Sequence, residues 1–134
     1  MFSVEPHVAD VRLRVNAQTR EELFTEAMRG LYSVLHVAPG TGARPISRHV
    51  VVDSVDLTAL MVDFLNEILS RVHIGQEVFA QAKFATLTDT EVACELTGIA
   101  PAELEADVKA VTYHEADVHQ EADGSWTTML VLDI

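Results

Sequence analysis

At 134 residues the chain fits one domain, 1–134, able to bury about two-thirds of the surface its unfolded form exposes. Hydrophobic residues make up 49% and charged residues 22%, which excludes a disordered chain, and no apolar run approaches the ~20 residues that cross a bilayer. With a net charge of -12 no strong direct binding of nucleic acid is expected, since so acidic a surface repels phosphate backbones.

The acidity is uneven. From Ile68 onward acids outnumber Lys and Arg 12 to 3, and between Glu103 and Asp123 seven acids face one base, Lys109. A protein of this kind that serves RNA is expected to do so through another protein; the plainer reading is that acidity keeps a small domain soluble. Met1 to Pro6 has neither a basic start nor an apolar signal core, and the single cysteine, Cys94, fits a reducing compartment, so the expected location is the cytoplasm.

Along the chain, a strand is expected before the His7-Val8-Ala9 turn and another over Val11 to Val15, with Asp10 between them. Thr19 and Glu22 form a capping box, after which Leu23, Ala27, Leu31, Val34 and Leu35 recur at helical spacing. Pro39, Gly40, Gly42 and Pro45 predict a loop, and His49 to Asp53 a strand. Asp56 is the expected N-cap of a second helix whose stripe runs from Leu57 through Leu60, Met61, Phe64, Leu65, Ile68 and Leu69 to Val72. Glu67 and Arg71 lie i,i+4 on its wet side, and Gly75 is the expected stop.

Strand alternation follows. Val78, Ala80, Ala82 and Phe84 are expected on one face, opposite Glu77, Gln81 and Lys83. After a Thr88-Asp89-Thr90 turn, Val92, Cys94 and Leu96 alternate with polar neighbours, which predicts a hairpin. Ala116 to Glu121 and Trp126 to Leu132 flank Asp123-Gly124, a second hairpin signal. The last strand is apolar on both faces, with Thr128, Leu130, Leu132 and Ile134 on one and Met129 and Val131 on the other, which predicts a buried strand anchoring the segment in the core. The expected fold is α+β: a mainly antiparallel sheet with two main amphipathic helices.

Asp133 and the terminal carboxylate of Ile134 would then sit together, an all-oxygen site for a hard cation such as Ca²⁺, with Asp10 a candidate third ligand. An acid at a loop start is, on spacing alone, more often a cap or solvated. The six histidines show no HExxH and no paired Cys/His spacing, and His114 and His119, five apart, are expected on opposite faces of a strand. Tyr113-His114-Glu115 could assist proton transfer. No GxSxG elbow or phosphate loop is present, and Cys94 alternates onto an apolar face, where a free thiol is structural. Lys109 reads either as a charge-neutralising partner for its acidic neighbours or as a contact to a phosphate or a partner's carboxylate.

Four segments carry a resemblance. Val108-Lys109-Ala110-Val111-Thr112-Tyr113-His114 resembles the signature of the archease family. His7-Val8-Ala9-Asp10-Val11 is similar to its N-terminal motif, Asp63-Phe64-Leu65-Asn66-Glu67 to its second helix, and Val131-Leu132-Asp133-Ile134 to its C-terminus. The resemblance implies one α+β unit and a non-catalytic activator of an RNA ligase. That ligase joins 3′-phosphate or 2′,3′-cyclic phosphate ends to 5′-hydroxyl ends in tRNA splicing and RNA repair, using GTP and divalent metal through a histidine-guanylate. The activator speeds guanylylation and keeps the ligase turning over. Carried over by position, the cation ligands fall on Asp10, Asp133 and Ile134, and Lys109 and His114 become partner contacts. Two departures stand out: Val8 replaces a threonine, and Arg12-Leu13 replaces a glycine-isoleucine pair, so that Arg12 is expected to pair with Asp10 and weaken its cation affinity.

Two other functions fit the residues. One is a small metal-dependent phosphate-ester hydrolase using Asp10 and Asp133, a reading weakened by the lack of basic residues to hold phosphate. The other is a general acidic chaperone or adaptor.

Overall fold

The computed structural model describes residues 10–134, so the strand expected before Ala9, the His7-Val8-Ala9 turn and the Val8 departure lie outside the described residues. Eight elements follow in order: β1 (Asp10–Ala17), α1 (Arg20–Leu35), β2 (Val37–Asp53), α2 (Leu57–Gly75), β3 (Val78–Leu87), β4 (Glu91–Leu104), β5 (Ala110–Gln120) and β6 (Trp126–Asp133). Every strand pairing is antiparallel, in two three-stranded sheets ordered β1-β6-β5 and β2-β4-β3. Helix α1 packs on β1 and β3, and α2 on β5 and β4, so the helices join the sheets through one core. This is the expected α+β fold.

The caps act as their sequences predict, with one shift. Thr19 Oγ1 accepts from Glu22 N at 3.1 Å, but the Glu22 carboxylate reaches back to Gln18 N rather than to Thr19. Asp56 accepts from Ala59 N at 2.8 Å, and the stripe of α2 is buried from Leu60 to Val72. Phe24 and Phe64, 5.4 Å apart between ring centroids, join α1 to α2. Gly75 is the last helical residue, and Gln76 adopts the left-handed turn at φ 54°, one residue later than expected.

Three expectations are corrected. Pro39 to Pro45 is part of β2, not a free loop, because a bulge between Pro39 and Arg44 absorbs the extra residues against Ala102 and Ala100 of β4. Gly40 is needed there: a Cβ would lie 2.9 Å from the Pro101 carbonyl oxygen. In β3 a bulge between Phe79 and Gln81 resets the alternation, so Phe79 is buried and Ala80 exposed, the reverse of the expected faces. In β6, Thr128, Leu130, Val131 and Leu132 are buried on both faces because the strand is central, but Asp133 is exposed and Ile134 keeps 39% of its surface exposed rather than joining the core.

Candidate functional site

β5 begins six residues earlier than its alternation predicts, so the Val108–His114 segment leads into and forms its first half. As the outer strand of its sheet, β5 carries backbone groups that no strand pairs among the described residues, and α2 supplies partners for several of them. Asn66 meets Val111 twice: its Nδ2 donates to the Val111 carbonyl at 2.8 Å and its Oδ1 accepts from Val111 N at 2.9 Å. Thr58 Oγ1 accepts from Val118 N at 3.1 Å. Asp63 accepts from the hydroxyls of both Tyr113 and Ser54. The carboxylate beside Tyr113 raises that phenol above its ordinary value.

Between Thr112, opposite Val131, and Asp117, opposite Met129, β5 bulges through Tyr113, His114, Glu115 and Ala116, with Glu115 in the left-handed region at φ 53°. The bulge turns Tyr113 and His114 outward, the His114 side chain being 74% exposed. It also breaks the regular alternation from which opposite faces were expected for His114 and His119. His119 instead sits between Asp117, at 2.5 Å, and Glu121, at 3.0 Å, which raise its basicity.

Asp10 and Asp133 are direct cross-strand partners, with Ala110 next in the same row. Side chains so paired rise from one face with Cβ atoms about 5 Å apart. Lys109 N donates to the Asp133 carbonyl at 2.7 Å, so the segment entering β5 is fixed to this row. Among the described residues no group of three or more His, Cys, Asp or Glu converges to hold a metal. Asp10 and Asp133 place two carboxylates in this row, and oxygen donors of that kind fit a hard divalent cation rather than zinc.

The expected Arg12–Asp10 pair is corrected. Arg12 Nη1 lies 2.5 Å from Glu115 Oε2 and forms no ion pair with Asp10. The guanidinium holds the Glu115 carboxyl below the ordinary range, and Glu115 in turn raises Arg12. Lys109 is exposed and forms no ion pair among the described residues. Cys94 is buried on its apolar face, and burial pushes its thiol up to about 11. The sequence assigns no contacts to Asp63 and Asn66; their polar spacing inside an apolar helix is the available signal.

The chain matches the Archease protein family over residues 2–134. It is 28% identical to the archease of Methanosarcina barkeri, with 96% of this chain and 92% of that one covered. It is 31% identical to that of Methanopyrus kandleri, with 96% and 95% covered. A Thermotoga maritima crystal structure, described as an archease and possible chaperone, shares the fold at TM-score 0.70 and 20% identity, covering all of this chain and 98% of that one. The solution structure of Methanobacterium thermoautotrophicum protein 1598 matches at TM-score 0.69 and 25% identity, covering 99% and 96%.

Proposed function

The chain belongs to the archease family, and from that membership we propose that it is a non-catalytic activator of a GTP-dependent RNA ligase, promoting guanylylation and multiple turnover in tRNA splicing or RNA repair. One observation carries the reading. Three of the segments that bear the family resemblance meet at one sheet end, where Asp10, Asp133 and Ala110 stand in a row and Lys109 N bonds to Asp133. Asp10, Asp133 and Ile134 would hold a divalent cation, Ca²⁺ by their oxygen chemistry. Their two adjacent carboxylates would be neutralised by such a cation, so that this end could meet a partner without their charge. Lys109 and the outward His114 contact the ligase beside it.

The charge supports a protein partner rather than RNA itself. A surface with seven acids between Glu103 and Asp123 repels RNA but complements the basic, nucleotide-binding face of a ligase. No helix among the described residues is long and apolar enough to cross a membrane, and the proposed site of action is the cytoplasm. The test is ligation by the purified ligase of the same organism, with and without this protein at substoichiometric amounts. Restored multiple turnover supports activation. Equal rates would refute it and favour the chaperone or adaptor reading, whereas metal-dependent turnover by this protein alone, lost in Asp133→Ala, would favour the hydrolase.

A further inference from the structure

Helix α2 and the segment through the start of β5 run antiparallel, and their polar contacts step together. Asp63 meets Tyr113, Asn66 meets Val111, and His73 Nε2 lies 2.9 Å from Asp107 Oδ1. Asp63, Asn66, Ser70 and His73 share one helical stripe, since they recur at three- and four-residue intervals. One helical turn advances about 5.4 Å and two strand residues about 6.6 Å, so a ladder holds register over a few rungs. Between the Asn66–Val111 and His73–Asp107 rungs stand Ser70 on the helix and Lys109 on the segment that enters β5.

That rung is open. Ser70 and Lys109 line a cleft of about 310 Å³ with Asn66, Leu69, His73 and Ile74. Asp107, the acid nearest Lys109 in the chain, is engaged with His73. Ile74, 85% exposed, stands between this cleft and a second of about 260 Å³ that it also lines with Ser70, Glu67, Arg71 and Glu77. A single exposed isoleucine is unremarkable. An isoleucine knob between two concavities, beside a hydroxyl and a cation that no acid of the described chain pairs, is a binding arrangement.

We infer that the Ser70–Lys109 cleft, with Ile74 at its rim, is a docking site for a protein segment carrying a carboxylate next to an apolar side chain. The carboxylate closes the open rung on the Lys109 ammonium and Ser70 hydroxyl, and the apolar group packs against Ile74. Charge complementarity selects the carboxylate, because Lys109 lines the cleft and no acid among the described residues does. Within an otherwise acidic surface that draws a basic partner, such an inverted pair fixes register. Lys109, which lines the cleft, is bonded through its N–H to the Asp133 carbonyl of the candidate cation row. That the segment belongs to the ligase rests on the function proposed above.

The experiment measures ligase binding by calorimetry and activation by ligation rate, using the full chain. Ser70→Trp fills the cleft, Ile74→Ser removes the knob, and Val51→Ser, at an exposed valine on β2, is the control. Thermal melts verify that the variants fold. Wild type and Val51→Ser should bind alike, while Ser70→Trp and Ile74→Ser each weaken binding about tenfold or more, the loss expected of an interface anchor. Wild-type affinity and activation in both cleft variants would overturn the inference. If wild type does not bind the ligase at all, the proposed function fails first and the cleft is judged alone by NMR titration with N-acetyl-leucyl-glutamate. Saturable shifts at Lys109 and the Ile74 methyls, absent with the glutamine analogue and in Ser70→Trp, sustain it; their absence in wild type overturns it.

Discussion

Arg12 on β1 and Glu115 in the β5 bulge are joined by a 2.5 Å ion pair that spans the outer strands of a three-stranded sheet. Strand β6 lies between them, so both side chains cross the same sheet face to meet. Arg12 also shares that face of β1 with Asp10, two residues away, and so stands beside the candidate cation row with its charge engaged elsewhere. The pair thus ties the bulge that presents His114 to the strand that carries Asp10.

This relationship sets the first prediction. Millimolar Ca²⁺ should raise the melting temperature of wild type, by about 2.7 kcal/mol of stability at a hundredfold excess over Kd. Asp133→Asn should remove most of that effect. Because Glu115 already neutralises Arg12, Arg12→Gly should change cation affinity little. Glu115→Gln should weaken it by freeing the guanidinium toward Asp10, and Arg12→Gly in that background should restore it. Calorimetry on the four proteins reads the cycle, and absence of saturable binding to wild type removes the site.

Tyr113 supplies a pH test. Its phenol is raised by the Asp63 carboxylate, and that of Tyr32 by burial. A raised folded-state value means that the hydrogen bond stabilises the fold fully below the ordinary value of about 10 and is lost as pH rises through the higher folded one. Phenolate absorbance of the native protein should therefore lag that of the unfolded chain for both tyrosines. Asp63→Asn should return Tyr113 toward its ordinary value while leaving Tyr32 raised. A tyrosine in native wild type that titrates as in the unfolded chain would contradict the Asp63 contact.

How far the sequence reached depends on the range of each signal. Helix α2 was legible because its cap, stripe and Glu67–Arg71 pair are all local. The Pro39–Pro45 segment was misread for the same reason: local turn chemistry says loop, while pairing with the distant β4 makes it strand. Ala80 is exposed against the expected alternation because a bulge is a property of two strands, and only one can be read at a time. The Asp10–Asp133 pairing is the clearest case. Nothing near either residue encodes a register between strands at opposite ends of the described chain, so local spacing offers Asp10 only as a candidate ligand and cannot show that it pairs with Asp133. The stripe from Asp63 to His73 was visible as polar residues at helical intervals, but its partners in β5 were not.

Asn66 tests whether α2 holds the outer edge of β5. Asn66→Leu removes both partners of Val111, leaving a partly buried N–H and C=O without the amide, which should cost about 1–3 kcal/mol in urea unfolding. Asn66→Asp keeps the acceptor for Val111 N and should lose less. Hydrogen exchange makes the assignment local: the Val111 amide should exchange faster in Asn66→Leu, while Leu96 in the other sheet should change only with global stability. Unchanged protection of Val111 would mean that another group satisfies it.

The last prediction concerns the electrostatics of activation. An acidic surface meeting a basic ligase face accelerates encounter, and salt screens that attraction over about 10 Å at 0.1 M. Ligase guanylylation at fixed GTP and metal should thus be stimulated by this protein, and the stimulation should fall as salt is raised. Lys109→Glu adds one more acid to an already acidic surface, so long-range attraction alone would leave activation equal or improved. Local contact predicts the opposite, because the substitution reverses the one cation at the open rung beside Ser70. We expect Lys109→Glu to reduce stimulation about tenfold with an unchanged melting temperature, since the side chain is exposed and makes no ion pair among the described residues. His114→Ala should lower it less, since it truncates a side chain outside the cleft rather than reversing a charge within it. Stimulation by Lys109→Glu equal to wild type, at low and high salt alike, would show that net charge suffices and that the signature lysine makes no contact.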